Sequence, residues 1–214
     1  MDSTSIAIII VLILSIVIHE VSHGYAANWL GDPTARLAGR LTLNPIKHID
    51  PVGSVLVPAL LLLSSAGILF GWAKPVPYNP YNLRNQKWGD TIVAAAGPGI
   101  NILIAVIFAV IIRAAVPLGL SGSFIELSSY IVYINILLAL FNLIPIPPLD
   151  GSKVLLGFLP FNAAMKYRGI MAGIERMGLL FTFLFIFLFI TLFSGPFFTF
   201  VYFIFEALTG LGGL

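Results

Sequence analysis

At 214 residues the chain suffices for one domain. Its composition excludes an ordinary soluble protein: 59% of residues are hydrophobic, 9% are charged and mean hydropathy is +1.03, where soluble domains are about 25% charged. A net charge of +2 is too small to suggest nucleic acid, and the absence of cysteine removes disulfides and thiolate metal ligands.

The first apolar run spans about Ser5 to Leu30. Gly31-Asp32-Pro33 ends it, with Gly just past the helix and Pro beyond. It lacks a basic leader region, so it reads as a span and not as a cleaved signal. Residues 31–51 are polar and basic. A second apolar stretch, Val52 to Phe70, carries Pro58, Ser64, Ser65 and Gly67. Gly71-Trp72-Ala73-Lys74-Pro75-Val76-Pro77-Tyr78-Asn79-Pro80 follows and cannot be helical. Further spans are expected at about Thr91–Val116 and Glu126–Ile144, the latter broken by Pro145, Pro147 and Pro148. Residues 152–177 are mixed, and 161–177 reads as an element lying flat on the membrane surface. The tail, Gly178 to Leu208, is interrupted at Ser194-Gly195-Pro196, as one kinked helix or a tight hairpin. The expectation is an all-α polytopic membrane protein with about five or six transmembrane segments and a re-entrant or irregular element near residues 52–80. All of it forms a single domain over 1–214, with a core at about 5–160 and a helical tail at 178–210.

Charge sets the orientation. If 52–70 dips into the membrane and returns, every Lys and Arg except Arg113 falls on one side. The positive-inside rule then puts the N-terminus outside and residues 31–90 and 145–177 in the cytoplasm. A full crossing at 52–70 would move Lys74, Arg84 and Lys87 outside.

The chemistry begins at His19-Glu20-Val21-Ser22-His23, inside a run whose only polar side chain from Ile6 to Ile18 is Ser15. On a helix His19 and His23 share a face and can reach one metal, with Glu20 beside them to activate a bound water. Ionisable groups at membrane depth mark function. A catalytic zinc site needs a third protein ligand. His48 reads as a solvated loop residue, and most acidic residues sit at boundaries. Glu206, deep in the tail, is one candidate. Asp150, after Asn142-Leu143-Ile144-Pro145-Ile146-Pro147-Pro148-Leu149 and before Gly151, is the other, although alone it reads as a plain cap for a helix resuming at Ser152.

The combination of H-E-x-x-H with Asn142-x-x-Pro145-x-x-Pro148-Leu149-Asp150-Gly151 resembles the site-2 proteases, which are intramembrane zinc metalloproteases. Ala96-Gly97-Pro98-Gly99-Ile100-Asn101 and Gly71-Trp72-Ala73-Lys74-Pro75-Val76-Pro77 resemble the compact bacterial and archaeal branch, which lacks a PDZ domain. The resemblance covers about residues 15–160. It implies His19, His23 and Asp150 as ligands of one zinc ion per chain and Glu20 as the general base. It also implies single-span membrane proteins as substrates, and a prokaryotic cell membrane with the site nearer the cytoplasmic face. Asn142 and Asn101 are candidates for the oxyanion or the substrate carbonyl, against plain interhelical hydrogen bonds. The tract at 71–80 is a candidate strand edge for an unwound substrate. Two alternatives remain: a zinc-binding membrane protein without peptidase activity, and a metalloprotease of another clan with Glu206 as third ligand.

Overall fold

The computed structural model describes residues 3–63 and 71–212. Helix makes up 76% of the chain, with no strand among the described residues. The helices are α1 (Ser3–Trp29), α2 (Thr34–Leu37), α3 (Val57–Leu63), α4 (Gly89–Ala115), α5 (Gly122–Asn142), α6 (Asp150–Phe158), α7 (Phe161–Met177), α8 (Leu179–Leu188) and α9 (Ser194–Thr209). Thr4–Trp29, Gly89–Ala115, Gly122–Asn142 and the run Leu179–Thr209 are long and apolar enough to cross a membrane, and Pro51–Leu60 is a shorter apolar helix. Four candidate spans and one shorter apolar helix are consistent with the expected all-α multi-pass membrane protein.

α1 stops where the sequence indicated. Asp32 N–H donates to the Ala27 carbonyl and Gly31 N–H to that of Asn28, with Gly31 left-handed at φ 109°. This closure satisfies the last carbonyls of the helix. The tail is one bent run: a wide π turn at Phe189–Phe193 joins α8 to α9. The rings of Phe189 and Phe197 meet at 5.1 Å, although eight residues of straight helix would separate them by about 12 Å.

α4 is the axis of the bundle and packs against α1, α5, α6 and α9. Ala105 and Ala109 let it approach closely, and with Ile112 they form a core with Val132, Ile136, Val201 and Phe205. At its far end Arg113 donates to the carbonyls of Ala207 and Leu208, closing the C-terminus of α9.

α1 and α4 run antiparallel, because His19 meets Asn101 while His23 meets Val93. Residues 31–88 therefore start and finish at one end of the bundle. Within them the chain leaves at Gly53 and returns at Trp72, whose N–H donates to the Gly53 carbonyl at 3.1 Å. Two full crossings need about 20 residues each when helical. The segment between these two residues is too short for that. Residues 64–70, where the expected re-entrant element would turn, lie outside the described residues. Asp50 starts the segment, accepting from the N–H groups of Val52 and Gly53.

The returning tract is pinned along its length. Lys74 N–H donates to the His48 carbonyl and its own carbonyl accepts from Arg40. Asp32, buried, accepts from the N–H groups of Asn79 and Thr34, the Asn82 amide and the Thr34 hydroxyl. One side of the expected strand edge thus has its donors engaged. Trp72, Lys74 and Val76 all donate internally, and Pro75 and Pro77 have no N–H to offer. His48 also departs from expectation: it is buried, with Nε2 against the Thr42 carbonyl, because the loop folds back over it.

Candidate metal centre

The first contribution comes from α1. His19 and His23, one turn apart, present Nε2 on the same side of the helix, each within reach of one carboxylate oxygen. Asp150 Oδ2 lies 3.1 Å from His19 Nε2 and 3.3 Å from His23 Nε2. One donor atom from each of the three residues fits within a 4.8 Å spread, and both histidines are buried. Asp150 is the first residue of α6, but its carboxylate caps nothing and turns to the histidines.

Glycines make the approach feasible. A Cβ on Gly151 would stand 2.2 Å from the Leu143 carbonyl oxygen, so the Asp-Gly pair permits α6 to start against the end of α5. A Cβ on Gly97 would lie 2.5 Å from His23 Nε2 and 2.6 Å from His19 Nε2. The space in front of both nitrogens exists because α4 has no side chain there. A metal fits this donor set: two imidazole nitrogens, one carboxylate, and a gap that a methyl group would fill.

The outer nitrogens are held as well. His23 Nδ1 donates to the Val93 carbonyl at 2.7 Å and His19 Nδ1 to Asn101 Oδ1 at 2.5 Å. Both Nε2 atoms then present lone pairs inward, as metal ligands must. Glu20 lies outside the three-ligand cluster, and one of its oxygens accepts from Val76 N–H at 3.0 Å. Gly24 permits that contact, since a Cβ there would stand 2.8 Å from Val76 Cγ1. Beyond Val76, Tyr78 donates to Asp90 and accepts from Lys153 Nζ at 2.8 Å. Burial, reinforced by Asp90, pushes the Tyr78 phenol up, so it remains a donor. α1, the irregular tract and α6 are thus tied together.

The other sequence candidates have protein partners of their own. Asn101 is wholly buried, and its Nδ2 donates to Asn135 Oδ1 at 2.7 Å. Both ends of its amide are engaged by protein groups, which suits orienting His19 better than binding an oxyanion. Asn142 donates to the Leu138 carbonyl of its own helix. Glu206 sits one turn from the C-terminus of α9, beside the carbonyls that Arg113 holds. Arg113 is twelve residues of α4 beyond Asn101, about 18 Å along the helix, so Glu206 belongs to the opposite end. Sequence reasoning passed over Gly97, Val76 N–H and the buried pair Asn135 and Ser15. Ser15 did stand out as the lone polar residue of its run.

A YwhC protein of Bacillus subtilis is 38% identical over 159 residues, covering 72% of this chain and 69% of its own length. The chain belongs to peptidase family M50. The model of that family, described as "Peptidase family M50", matches residues 117–189, from the loop before α5 to α8. Rip2 of Mycolicibacterium smegmatis is 29% identical over 151 residues, 67% of this chain and 53% of that protein. Rip2 of Mycobacterium tuberculosis is 26% identical over 197 residues, 91% of this chain and 71% of that protein. All three relatives carry the printed description "Putative zinc metalloprotease". No solved structure matches. Membership in M50 agrees with the site-2 protease motifs read from the sequence.

Proposed function

We propose that this chain is a zinc metalloprotease that hydrolyses peptide bonds within or beside the membrane spans of single-span proteins. The observation that carries the reading is the convergence of His19, His23 and Asp150 in front of side-chain-free Gly97, with Glu20 beside them but outside the ligand set. Bound there, zinc would acidify a water molecule and polarise the scissile carbonyl. His19 and His23 supply Nε2, Asp150 its carboxylate. Glu20, with one oxygen fixed by Val76 N–H, takes the proton of the attacking water on its other oxygen and returns it to the leaving amine nitrogen. The substrate segment must be unwound to expose its amide, in or near the bilayer.

In this reading one zinc serves each chain. The residues around the site face the cytoplasm in this reading, because segments 31–90 and 145–177 carry all cations except Arg113. The test is to incubate detergent-purified protein with a panel of single-span substrates, with and without a zinc chelator. Cleavage should require metal, and Glu20→Gln should keep the metal while losing cleavage. Bound zinc without cleavage of any substrate would favour a non-proteolytic zinc protein, and cleavage at the parent rate by Glu20→Gln would remove Glu20 as the base.

A further inference from the structure

A chain of buried amides runs away from His19 through three helices. His19 Nδ1 meets Asn101 Oδ1 at 2.5 Å, Asn101 Nδ2 meets Asn135 Oδ1 at 2.7 Å, and Asn135 Nδ2 meets Ser15 Oγ at 2.9 Å and the Ile131 carbonyl at 2.8 Å. Asn101 and Asn135 are completely buried, and Ser15 is 4% exposed. Such bonds between membrane helices add little stability, a small return for placing two amides in an apolar bundle.

Their direction is the informative part. An imidazole nitrogen, an amide group and a hydroxyl can each donate or accept, so the row Ser15, Asn135, Asn101, His19 could run either way. The Ile131 carbonyl cannot. It only accepts, so the face of Asn135 turned to it must be the NH2, and Oδ1 must then point to Asn101. Asn101 is thereby turned with NH2 toward Asn135 and oxygen toward His19. That oxygen admits only a protonated Nδ1, which leaves Nε2 bare on the side of Asp150.

We infer that Asn135, reaching neither metal nor substrate, is a positioning residue that fixes the ligand tautomer of His19, with the Ile131 backbone carbonyl setting the polarity of the whole relay. The inference rests on the zinc-site reading above. If Asn135 loses its side-chain oxygen, the Asn101 amide is free to turn over and present NH2 to His19. Nδ1 must then accept, the proton moves to Nε2, and His19 ceases to be a ligand. His23 needs no such relay, since its partner is already a backbone carbonyl.

The experiment measures zinc affinity by chelator competition on detergent-purified protein, with thermal melting as a fold control. Parent protein should bind zinc and Asp150→Ala should not. Asn135→Leu should weaken zinc binding 10- to 100-fold, the range expected when a ligand's outer partner is lost. Asn135→Ser should do the same, because the Ser hydroxyl bonds back to the Ile131 carbonyl and leaves Asn101 unguided. Ser15→Ala should change affinity less than about threefold, since Ile131 still orients Asn135. The decisive variant is Asn101→Asp combined with Asn135→Leu. Both carboxylate oxygens accept, so direction no longer needs specifying, and affinity should return to within about threefold of parent. A purely structural role for Asn135 predicts the reverse, as a buried carboxylate would compound the damage. Parent-like affinity in both single Asn135 variants, or no recovery in the double variant, overturns the inference. Failure of the parent itself to bind zinc overturns the site reading and this inference with it.

Discussion

The two halves of the bundle are held by opposite means. Where α1, α4 and α5 meet, the interior is laced with polar groups: Ser15, His19, His23, Asn101, Ser128, Ser129 and Asn135 are all buried. Along α8 and the turn after it no side chain is buried, and contact is made by phenylalanine rings. Phe141 of α5 touches Phe185, Phe189 and Phe197 at ring separations of 5.3 to 6.3 Å. In a bilayer these are different kinds of contact. Lipid tails replace a phenylalanine contact at little loss, because they are equally apolar. They cannot replace a partner for a buried amide or imidazole, which is left unsatisfied instead. The polar seam therefore has one workable arrangement and specifies the site, while the aromatic arm only needs to be apolar and roughly the right size.

The largest effect expected from this contrast is at Gly97. Gly97→Ala puts a methyl group into the gap before both histidine nitrogens, and helix α4 itself tolerates Ala well. Zinc affinity should fall at least about 100-fold with melting temperature near parent. Unchanged affinity would mean the ligands are not confined as the geometry requires. Next, Asp150→Ala should abolish stoichiometric zinc binding, which needs three protein ligands, while Glu206→Ala leaves metal content at parent level. Loss of metal in the Glu206 variant alone would reassign the third ligand.

A smaller effect is expected at Asp32, where the polar style of construction extends beyond the seam. Burial would raise its carboxyl, but hydrogen bonds from Thr34, Asn82 and Asn79 hold it below the ordinary value. A lowered folded-state pKa stabilises the fold above the unfolded value of about 3.9 and is lost as pH falls through the folded one. Asp32→Ala should lower the melting temperature by roughly 5 °C at neutral pH. That difference should shrink as pH drops below about 4, and a pH-independent difference would exclude the ionised carboxylate as its source. The smallest effect is expected in the arm. Phe185→Leu should move melting by less than about 3 °C and leave zinc affinity alone. A drop as large as that of Asp32→Ala would break the contrast between the two halves.

Much of this architecture was legible in the sequence. The expected spans at Ser5–Leu30, Thr91–Val116 and Glu126–Ile144 match α1, α4 and α5 to within a few residues, because hydropathy and Gly/Pro punctuation are local signals. The tail's form was not legible, since Ser194-Gly195-Pro196 is compatible with both a bend and a reversal. His48 was misjudged for a related reason: its local neighbours are polar, and only tertiary closure over Thr42 buries it. The metal cluster was visible as residue types at suggestive spacing. What holds the cluster was not, because the roles of Gly97 and the Val93 carbonyl lie in an absent side chain and a backbone atom. Asn135 did carry a signal, an amide in the middle of an apolar span, the same one that drew attention to Asn101.

The separation of the ligands along the chain bears on how the protein is made. His19 and Asp150 are 131 residues apart, and the histidines ride in α1, well ahead of the carboxylate in the chain. Gly97 and Asn101 arrive with α4, three helices later, Asn135 later still, and Asp150 after that. Until then the first span carries two histidines and a glutamate with no third ligand to complete a site. On the function proposed above, a chain shortened before α6 lacks the carboxylate of the cluster, so completing the bundle and completing the zinc site would be one event.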